Sequence, residues 1–432
     1  MALQTSKDLR HCVIYNIFVR NFTPEGTFKS VIPELDRIQQ MGVDMIWFLP
    51  MYPIGKVQRK GVDGSPYAIS DYRAVDPCYG SMEDFLELVE NIHQRGMKVM
   101  IDIVFNHTSP DSVLSQEHPE WFYHKEDGSF GNRVGDWYDI IDLDYANHGL
   151  WDYHIETLKF WAQYVDGFRC DVAPLVPITF WQEARQAVSE VNPDMIWLSE
   201  SVHPSFIAYL RGQGLVAHSD SEIYQAFDMS YEYDIRDEFE QYLQDEISLK
   251  EYVKVINQQE TIYPDNYIKL RNLENHDNPR IRHYIQDDQQ LHQWMVFSYL
   301  LKGAHLIYNG QEMQADHCPS LFDKDAIEWD EAKDISQDFK QLIAFKKAHI
   351  PVDSQMQLFA QNSGDLVLVH HQSRRGDLYG GVQLKPGVDD LPVPLEDGTY
   401  KDILSGKEIL VESGFVTSGQ TPFVIEILAD KI

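Results

Sequence analysis

Four short apolar runs in this chain each end in charged or amide side chains, and this repeated pattern limits the folds that the chain can adopt. The runs occupy residues 101–107, 167–172, 196–200 and 272–277. Apolar runs of this length between polar residues are typical of buried strands in a parallel sheet. Barrel and open-sheet enzymes carry their catalytic groups at the carboxyl ends of such strands. Because burying even one charge is costly, the repetition predicts an enzyme with several cooperating carboxylates.

Strand-like runs alternate with stretches of helical apolar spacing through most of the chain. Strands are predicted at residues 13–19, 45–49, 98–105, 167–172, 195–199, 224–229, 267–273 and 304–308. Helices are predicted between them, for example at 82–95, 150–164 and 177–191. This alternation predicts an α/β fold, a (β/α)8 TIM barrel. A doubly wound sheet is the alternative, but it usually carries a Gly-rich loop after its first strand, where this chain has Arg20-Asn21-Phe22.

Two parts of the chain fall outside the alternating pattern. After the third predicted strand comes a connection of about forty residues rich in His, Asp, Gly and aromatics, which is long enough to form a small subdomain. After Pro351 the pattern changes to short strands separated by Gly, Pro and Asp, which predicts an antiparallel β domain. The predicted divisions are 1–106 (barrel, first part), 107–146 (insertion), 147–350 (barrel, second part) and 351–432 (β domain).

The charge balance narrows the range of partners. The chain has 432 residues and a formal net charge of -32, so it repels phosphate backbones and anionic lipids. We therefore expect no nucleic-acid partner and no membrane surface partner. A neutral substrate is compatible with this charge, although solubility alone would also explain it.

The expected location is the cytoplasm. The first residues contain no apolar stretch of the kind found in a signal peptide, and no run approaches the ~18 apolar residues of a membrane span. The four cysteines, at positions 12, 78, 170 and 318, show neither metal-ligand spacing nor a disulfide framework. The sequence leaves the oligomeric state undetermined.

Four charged residues at the predicted strand ends form a plausible catalytic group. Arg169 and Asp171 lie two apart on a strand and share a face, so we expect Arg169 to keep Asp171 ionised. Glu200 ends the next strand, where a poorly solvated site near another carboxylate would raise its pKa, as a general acid requires. Asp277 follows the seventh strand and faces the same opening. A nucleophilic carboxylate beside a carboxylic acid predicts a retaining glycosidase, whereas any one of these residues alone would fit a structural salt bridge.

These motifs resemble those of glycoside hydrolase family 13, the α-amylase family. The four signature-like segments are Asp102 to His107, Gly167 to Asp171, Glu200, and Asn275 to Asp277. Further similar segments lie at residues 15–22, 67–72 and 307–312. The resemblance implies a TIM barrel with a B domain inserted after strand 3 and a C-terminal antiparallel β-sandwich domain.

The resemblance implies catalytic roles for three residues. Asp171 would be the nucleophile that forms a covalent glycosyl-enzyme, and Glu200 would be the acid/base. Asp277 would bind the 2- and 3-hydroxyls of the sugar and favour its distorted ring in the transition state.

The resemblance also implies substrate-binding and supporting residues. Tyr67 would stack on the sugar at the cleaved bond, and His107 and His276 would hydrogen-bond to that sugar. Arg169 would orient Asp171, and Asp102 would support the site by pairing with Arg169.

Calcium is a possible additional component, although no cofactor is expected to be required. Asn106 would be a calcium ligand, with Asp142 or Asp144 as a hard oxygen partner. Pro174 and Leu175 stand where many α-amylases have Lys and His, residues that in those relatives contact substrate and help to hold calcium.

The sequence thus predicts a retaining hydrolase that cleaves α-1,4 bonds in maltodextrins or starch-type α-glucans. The alternatives within the family are an α-glucosidase, an oligo-1,6-glucosidase and a 4-α-glucanotransferase. The non-enzymatic alternative is a catalytically silent relative that serves as an accessory chain of a transporter. Such a relative would lack the carboxylates present here and would carry a membrane anchor.

Overall fold

The chain forms a closed parallel barrel followed by two antiparallel sheets, in a computed structural model that describes residues 4–134, 137–361, 363–387, 389–417 and 419–429. The barrel strands are β1 (Val13–Ile17), β2 (Met45–Phe48), β3 (Lys98–Ile103), β4 (Gly167–Cys170), β5 (Ile196–Ser199), β6 (Met229–Tyr231), β7 (Lys269–Arg271) and β8 (Ala304–Tyr308). Each strand pairs in parallel with the next, and β8 pairs with β1 to close the barrel. The predicted (β/α)8 fold class is confirmed.

Helices surround the barrel and connect its strands. The α-helices span Val19–Phe22, Phe28–Val31, Leu35–Gln40, Met82–Gln94, Val113–Glu117, His148–Trp161, Ile178–Val188, Pro204–Gly212, Asp220–Ile223, Arg236–Leu243, Leu249–Ile262, Ile281–Tyr284, Asp288–Leu300 and Ser336–His349. Short 3-10 helices span Lys7–His11, Ile32–Glu34, Pro119–Trp121, Ala173–Leu175, Gln311–Met313, Glu331–Lys333 and Ser363–Asp365. Within the described residues, no helix is both long and apolar enough to cross a membrane.

The helix Met82–Gln94 shows how the sequence determines these elements. Ser81 caps its first turn, because the Ser81 hydroxyl accepts from the backbone N–H of Asp84 while the Asp84 carboxylate accepts from the N–H of Ser81. The helix then buries one apolar stripe against the barrel, at three- and four-residue spacing. That stripe consists of Phe85, Leu88, Val89 and Ile92.

The sixth strand lies later in the chain than predicted. The prediction placed it at 224–229, but residues 220–223 form the helix Asp220–Ile223, and the N–H of Tyr224 donates to Asp220 O at 3.1 Å. The strand begins at Met229. A short run of buried aromatic residues fits the end of a helix as well as a strand, and its periodicity does not separate the two.

The insertion after β3 and the C-terminal tail are both compact. The insertion contains the antiparallel pair His107–Thr108 and Ile141–Asp142, together with the helix Val113–Glu117. The tail forms one sheet of Gln355–Gln361, Leu366–Ser373, Gly376–Gln383 and Phe423–Leu428, and a second of Leu391–Pro392, Gly398–Lys401, Glu408–Glu412 and Phe415–Val416. Side chains of both sheets share one apolar core, as expected for a β-sandwich.

Candidate active site

The predicted catalytic residues lie at the carboxyl-terminal mouth of the barrel. Asp102 on β3 pairs in register with Arg169 on β4. Asp171 directly follows β4, Glu200 directly follows β5, and Asp277 follows β7. Neighbouring parallel strands end at the same edge, so the fold brings side chains from distant parts of the sequence together.

Arg169 is the centre of this group. Its Nη1 donates to Asp102 Oδ1 at 2.8 Å and to Asp171 Oδ1 at 3.0 Å. Its Nη2 forms an ion pair with Glu200 Oε2 at 3.1 Å. Arg169 is fully buried, so one guanidinium holds three carboxyl groups away from bulk water.

Aromatic rings fix the position of that guanidinium. The Arg169 Cζ atom lies 5.2 Å from the ring centre of Trp47, 5.7 Å from that of Tyr67 and 5.4 Å from that of Tyr231. Rings at these distances attract a cation and restrict its movement. Arg169 therefore acts as a rigid support for the carboxyl groups.

Burial raises the pKa values of the three carboxyl groups that contact Arg169. The pKa of Glu200 rises to about 8, mainly because of burial, and the charges of Asp171 and Asp277 add to the effect. The pKa of Asp171 rises to about 7, and that of Asp102 also rises. Arg169 opposes these shifts, but burial is the larger effect, so the expectation that Arg169 keeps the pKa of Asp171 low is wrong. Of these three carboxyl groups, Glu200 therefore retains its proton to the highest pH, and Asp171 becomes a carboxylate at a lower pH than Glu200.

The backbone also orients Glu200. The N–H of Val172 donates to Glu200 Oε2 at 2.7 Å. Val172 has a φ of 37°, a left-handed conformation that is strained for a β-branched residue. Such strain is found mainly where a structure positions a group for function. In this structure, the backbone conformation of Val172 directs the Val172 N–H, which directly follows Asp171, toward the carboxyl group of Glu200.

The predicted substrate-binding side chains surround the same carboxyl groups. The Tyr67 hydroxyl lies 2.6 Å from His276 Nε2 and 3.3 Å from Asp102 Oδ2. His276 Nε2 is 3.2 Å from an oxygen of Asp277, and His107 Nε2 is 3.9 Å from Asp171 Oδ2.

Both histidines are neutral near pH 7. Burial lowers the pKa of His107 and that of His276 to about 4. They therefore act as hydrogen-bonding groups and add no positive charge to the site.

These groups line a cavity of about 220 Å³. Its lining includes the predicted residues Tyr67, His107, Asp171, Glu200 and Asp277. It also includes residues that the sequence did not assign to the site, namely Lys60, Ser65, Trp137, Asp139, Ile140, Val172, Leu321 and Phe322. For Trp137, the aromatic content of the insertion was a general sequence signal.

An arginine, Arg133, lies among the residues predicted to hold calcium. The N–H of Arg133 donates to Asp142 Oδ2 at 2.6 Å, and its Nη1 donates to Leu143 O at 3.1 Å. Its Nη2 lies 3.7 Å from Asp144 Oδ1. Among the residues described, no three His, Cys, Asp or Glu side chains are arranged to hold a metal. Arg133 thus lies near both carboxylates, while Asp142 Oδ1 is buried without a hydrogen-bond partner among the described residues.

The match to known families agrees with this geometry. A model described as the α-amylase catalytic domain matches residues 14–354, and a model of the bacterial α-amylase C-terminal domain matches residues 357–425. The chain belongs to the α-amylase family. It is accordingly a glycoside hydrolase, and the family predicted from the sequence is confirmed.

Solved structures of this α-amylase-family type share the whole fold. A crystal structure of an α-amylase from Lactobacillus plantarum is 43% identical, with a TM-score of 0.93, and the match covers 98% of this chain and 100% of that one. A noncanonic maltogenic α-amylase from Thermotoga neapolitana is 28% identical, with a TM-score of 0.86 and coverage of 98% and 100%.

In the curated relatives, the matching region covers a smaller share of the relative's own sequence. Alpha-amylase 2 of Dictyoglomus thermophilum is 25% identical over 91% of this chain and 72% of its own sequence. An α-1,4-glucan:maltose-1-phosphate maltosyltransferase of Salinibacter ruber is 32% identical over 42% of this chain. This chain covers 31% of that transferase's sequence.

Proposed function

We propose that this enzyme hydrolyses α-1,4-glucosidic bonds of maltodextrins or starch-type α-glucans with retention of configuration. The observation that carries the proposal is the pair of carboxyl groups, Asp171 and Glu200, held by the two terminal nitrogens of Arg169. In retaining glycosidases the nucleophile and the acid lie on either side of the cleaved bond, ~5–5.5 Å apart. Two groups on one guanidinium, facing one cavity, suit that arrangement.

The reaction would proceed in two displacements. The Asp171 carboxylate attacks the anomeric carbon while Glu200 gives its proton to the departing glycosidic oxygen, which leaves as an alcohol. Glu200, now a carboxylate, then takes a proton from water. That water attacks the anomeric carbon, the ester to Asp171 breaks, and both side chains return to their starting states.

The remaining residues would bind and shape the sugar. Asp277 lines the cavity, and it would accept hydrogen bonds from ring hydroxyls and so favour the distorted sugar of the transition state. Tyr67 offers a ring face to the sugar, and the neutral His107 offers a hydrogen-bonding nitrogen. His276 does not line the cavity, and it would act on the sugar through Tyr67, whose hydroxyl lies 2.6 Å from His276 Nε2.

The alternatives within the family differ in product. An α-glucosidase would release glucose only, an oligo-1,6-glucosidase would cleave isomaltose, and a 4-α-glucanotransferase would make chains longer than those supplied. A transferase acting on maltose 1-phosphate would need a cation for the phosphate. Lys60 is the only lysine or arginine in the described lining of the cavity, and it is already paired with Asp139. The silent-accessory alternative is disfavoured by the full set of carboxylates.

The decisive experiment is replacement of the nucleophile. Asp171→Asn should abolish hydrolysis of maltoheptaose while leaving the circular dichroism spectrum and the unfolding temperature nearly unchanged. Asp194→Asn is a matched control, because Asp194 is an exposed carboxylate in the turn before β5, at the opposite end of the barrel. NMR of fresh products from the unaltered enzyme should show the α-anomer first. Unchanged turnover by Asp171→Asn, or initial formation of the β-anomer, would contradict the proposal.

We also propose that the enzyme acts in the cytoplasm. All four cysteines are free thiols: Cys12 and Cys170 are buried, and Cys78 and Cys318 are exposed. A reducing compartment keeps such exposed thiols intact. Cell fractionation with an activity assay on maltodextrin tests this, and activity confined to the secreted fraction would contradict it.

A further inference from the structure

Three segments meet over one side of the active-site cavity. Lys60, from the loop after β2, places its Nζ 2.8 Å from Asp139 Oδ1 of the insertion. The same Nζ lies 5.0 Å from the ring centre of Tyr138 and 5.7 Å from that of Phe322, which belongs to the loop after β8. We call Lys60, Tyr138, Asp139 and Phe322 the Lys60 bridge.

The bridge is more firmly held than an ordinary surface ion pair. The Asp139 side chain is 4% exposed and the Lys60 side chain 21%, so water competes little for their contact. The loop that carries Phe322 is also tied by its backbone, because the N–H groups of Asp63 and Gly64 both donate to Phe322 O at 3.0 Å. Lys60, Asp139 and Phe322 of the bridge line the cavity and form one of its walls, while Tyr138 lies outside the lining.

The position of this wall relative to Glu200 defines which end of a substrate it faces. Lys60 and Phe322 lie in the loops after β2 and β8, the two strands beside β1, whereas Tyr138 and Asp139 lie in the insertion after β3, midway between β1 and β5. In a closed barrel of eight strands, β1 lies opposite β5, and Glu200 directly follows β5. Because Glu200 protonates the departing oxygen, the leaving part of the glucan lies on the β5 side. The wall therefore faces the non-reducing end of the substrate.

We propose that the Lys60 bridge is a specificity determinant that closes the non-reducing-end side of the cavity, so that the enzyme cuts from chain ends and releases one short product. The proposal rests on the proposed hydrolysis of α-glucans and adds the mode of attack. A cavity of about 220 Å³ is below the ~300–1,000 Å³ of pockets for drug-sized ligands. A space of this size would suit a short terminal segment, and a chain that continued past Lys60 would meet the bridge.

The first test compares two substrates with the unaltered enzyme. One is p-nitrophenyl maltoheptaoside, and the other is the same compound with its non-reducing end blocked by a 4,6-O-acetal. We expect the blocked substrate to be cleaved at least about tenfold more slowly, because the acetal collides with the wall. We expect chromatography of the open substrate to show one short sugar from the earliest times. Equal rates on the two substrates, or an early mixture of product lengths, would overturn the proposal.

The second test removes the bridge. The double variant Lys60→Ala/Asp139→Ala deletes both charges, so no unpaired carboxylate is left buried. We expect it to cleave the blocked substrate at least about tenfold faster than the unaltered enzyme and to release mixed product lengths. Lys56→Ala, an exposed lysine in the same loop, should keep the original product pattern. A folded double variant with unchanged products would overturn the proposal.

The two hypotheses fail in different ways. If the enzyme cleaves the open substrate with retention but accepts the blocked one equally well, hydrolysis of α-glucans stands and the wall does not govern specificity. If neither substrate is cleaved, the proposed function itself is wrong and the inference falls with it. If the double variant does not fold, the comparison of the open and blocked substrates with the unaltered enzyme still decides the question.

Discussion

Replacing Arg169 with methionine would remove a fully buried charge while nearly preserving the length of the side chain. In the unaltered enzyme, Arg169 lies 2.8 Å from Asp102, 3.0 Å from Asp171 and 3.1 Å from Glu200. No bulk water is available to replace it, since its side chain is 0% exposed. Breaking a buried ion pair by removing one partner costs about 3–5 kcal/mol. We therefore expect Arg169→Met to lower the free energy of unfolding by about 3–5 kcal/mol at neutral pH.

The loss should depend on pH in a defined direction. Burial raises the pKa of Asp171 to about 7 and that of Glu200 to about 8, so the folded chain holds protons that the unfolded chain releases. The stability from these protons is fully present below the unfolded pKa values of about 4 and is lost as pH rises through about 7 to 8. Without Arg169 both pKa values rise further, because burial is no longer opposed. The variant should therefore lose more stability at about pH 8.5 than at about pH 5.

Urea unfolding followed by tryptophan fluorescence at these two pH values measures the effect. Arg185→Met is a suitable control, since Arg185 forms a partly buried ion pair with Asp228 at 2.6 Å, away from the carboxyl group cluster. It gives the cost of losing an arginine elsewhere in the barrel. A loss for Arg169→Met below about 1 kcal/mol, or an equal loss at both pH values, would refute the reasoning.

Three further predictions concern the acid, the insertion and a helix cap. The kcat/KM for maltoheptaose should fall as pH rises through about 8, where Glu200 loses its proton, and a pH–rate profile flat to about pH 10 would contradict this. A chelator should leave the unfolding temperature of the unaltered enzyme unchanged. Arg133→Met should lower the unfolding temperature, and calcium added at ~100 times its Kd should restore up to about 2.7 kcal/mol of the free energy of unfolding. Calorimetry with and without calcium measures both effects, and a lower unfolding temperature of the unaltered enzyme with chelator would contradict the prediction. Ser81→Ala should cost about 1 kcal/mol by removing the cap of Met82–Gln94, with kcat unchanged; urea unfolding and activity assays test this, and a lower kcat would show an effect reaching the site.

The sequence predicted the barrel well because its signals are local. A strand such as Lys98–Ile103 is built mainly of apolar residues, and a helix such as Met82–Gln94 combines a cap with an apolar stripe. The exception at 224–229 arose where a short aromatic run had no such distinguishing signal. Strand position there depends on the neighbours that pair with it, which periodicity alone does not report.

The carboxylates of the site were predictable for the same reason, since each stands in a motif at a strand end. Lys60 and Phe322 carried no motif, because each gains its place from contact with another segment. The pKa balance at Asp171 was also beyond the sequence: Arg169 two residues away was visible, but the burial that outweighs it is a property of the folded barrel. Arg133, placed between Asp142 and Asp144, likewise owes its role to the fold of the insertion.

The strand pairing that closes the barrel also controls when the cavity becomes complete. Arg169 and its carboxylates stand on or directly after β3, β4 and β5, which are adjacent, so they come together as soon as those strands pair. Phe322 follows β8, the last barrel strand. It contacts Lys60 only after β8 has paired with β1, the first strand in the sequence. Contacts between such distant segments carry the largest loop-closure entropy and form late in folding. In a refolding chain, Arg169 and its carboxylates would thus come together before Phe322 contacts Lys60, so this side of the cavity would be completed last.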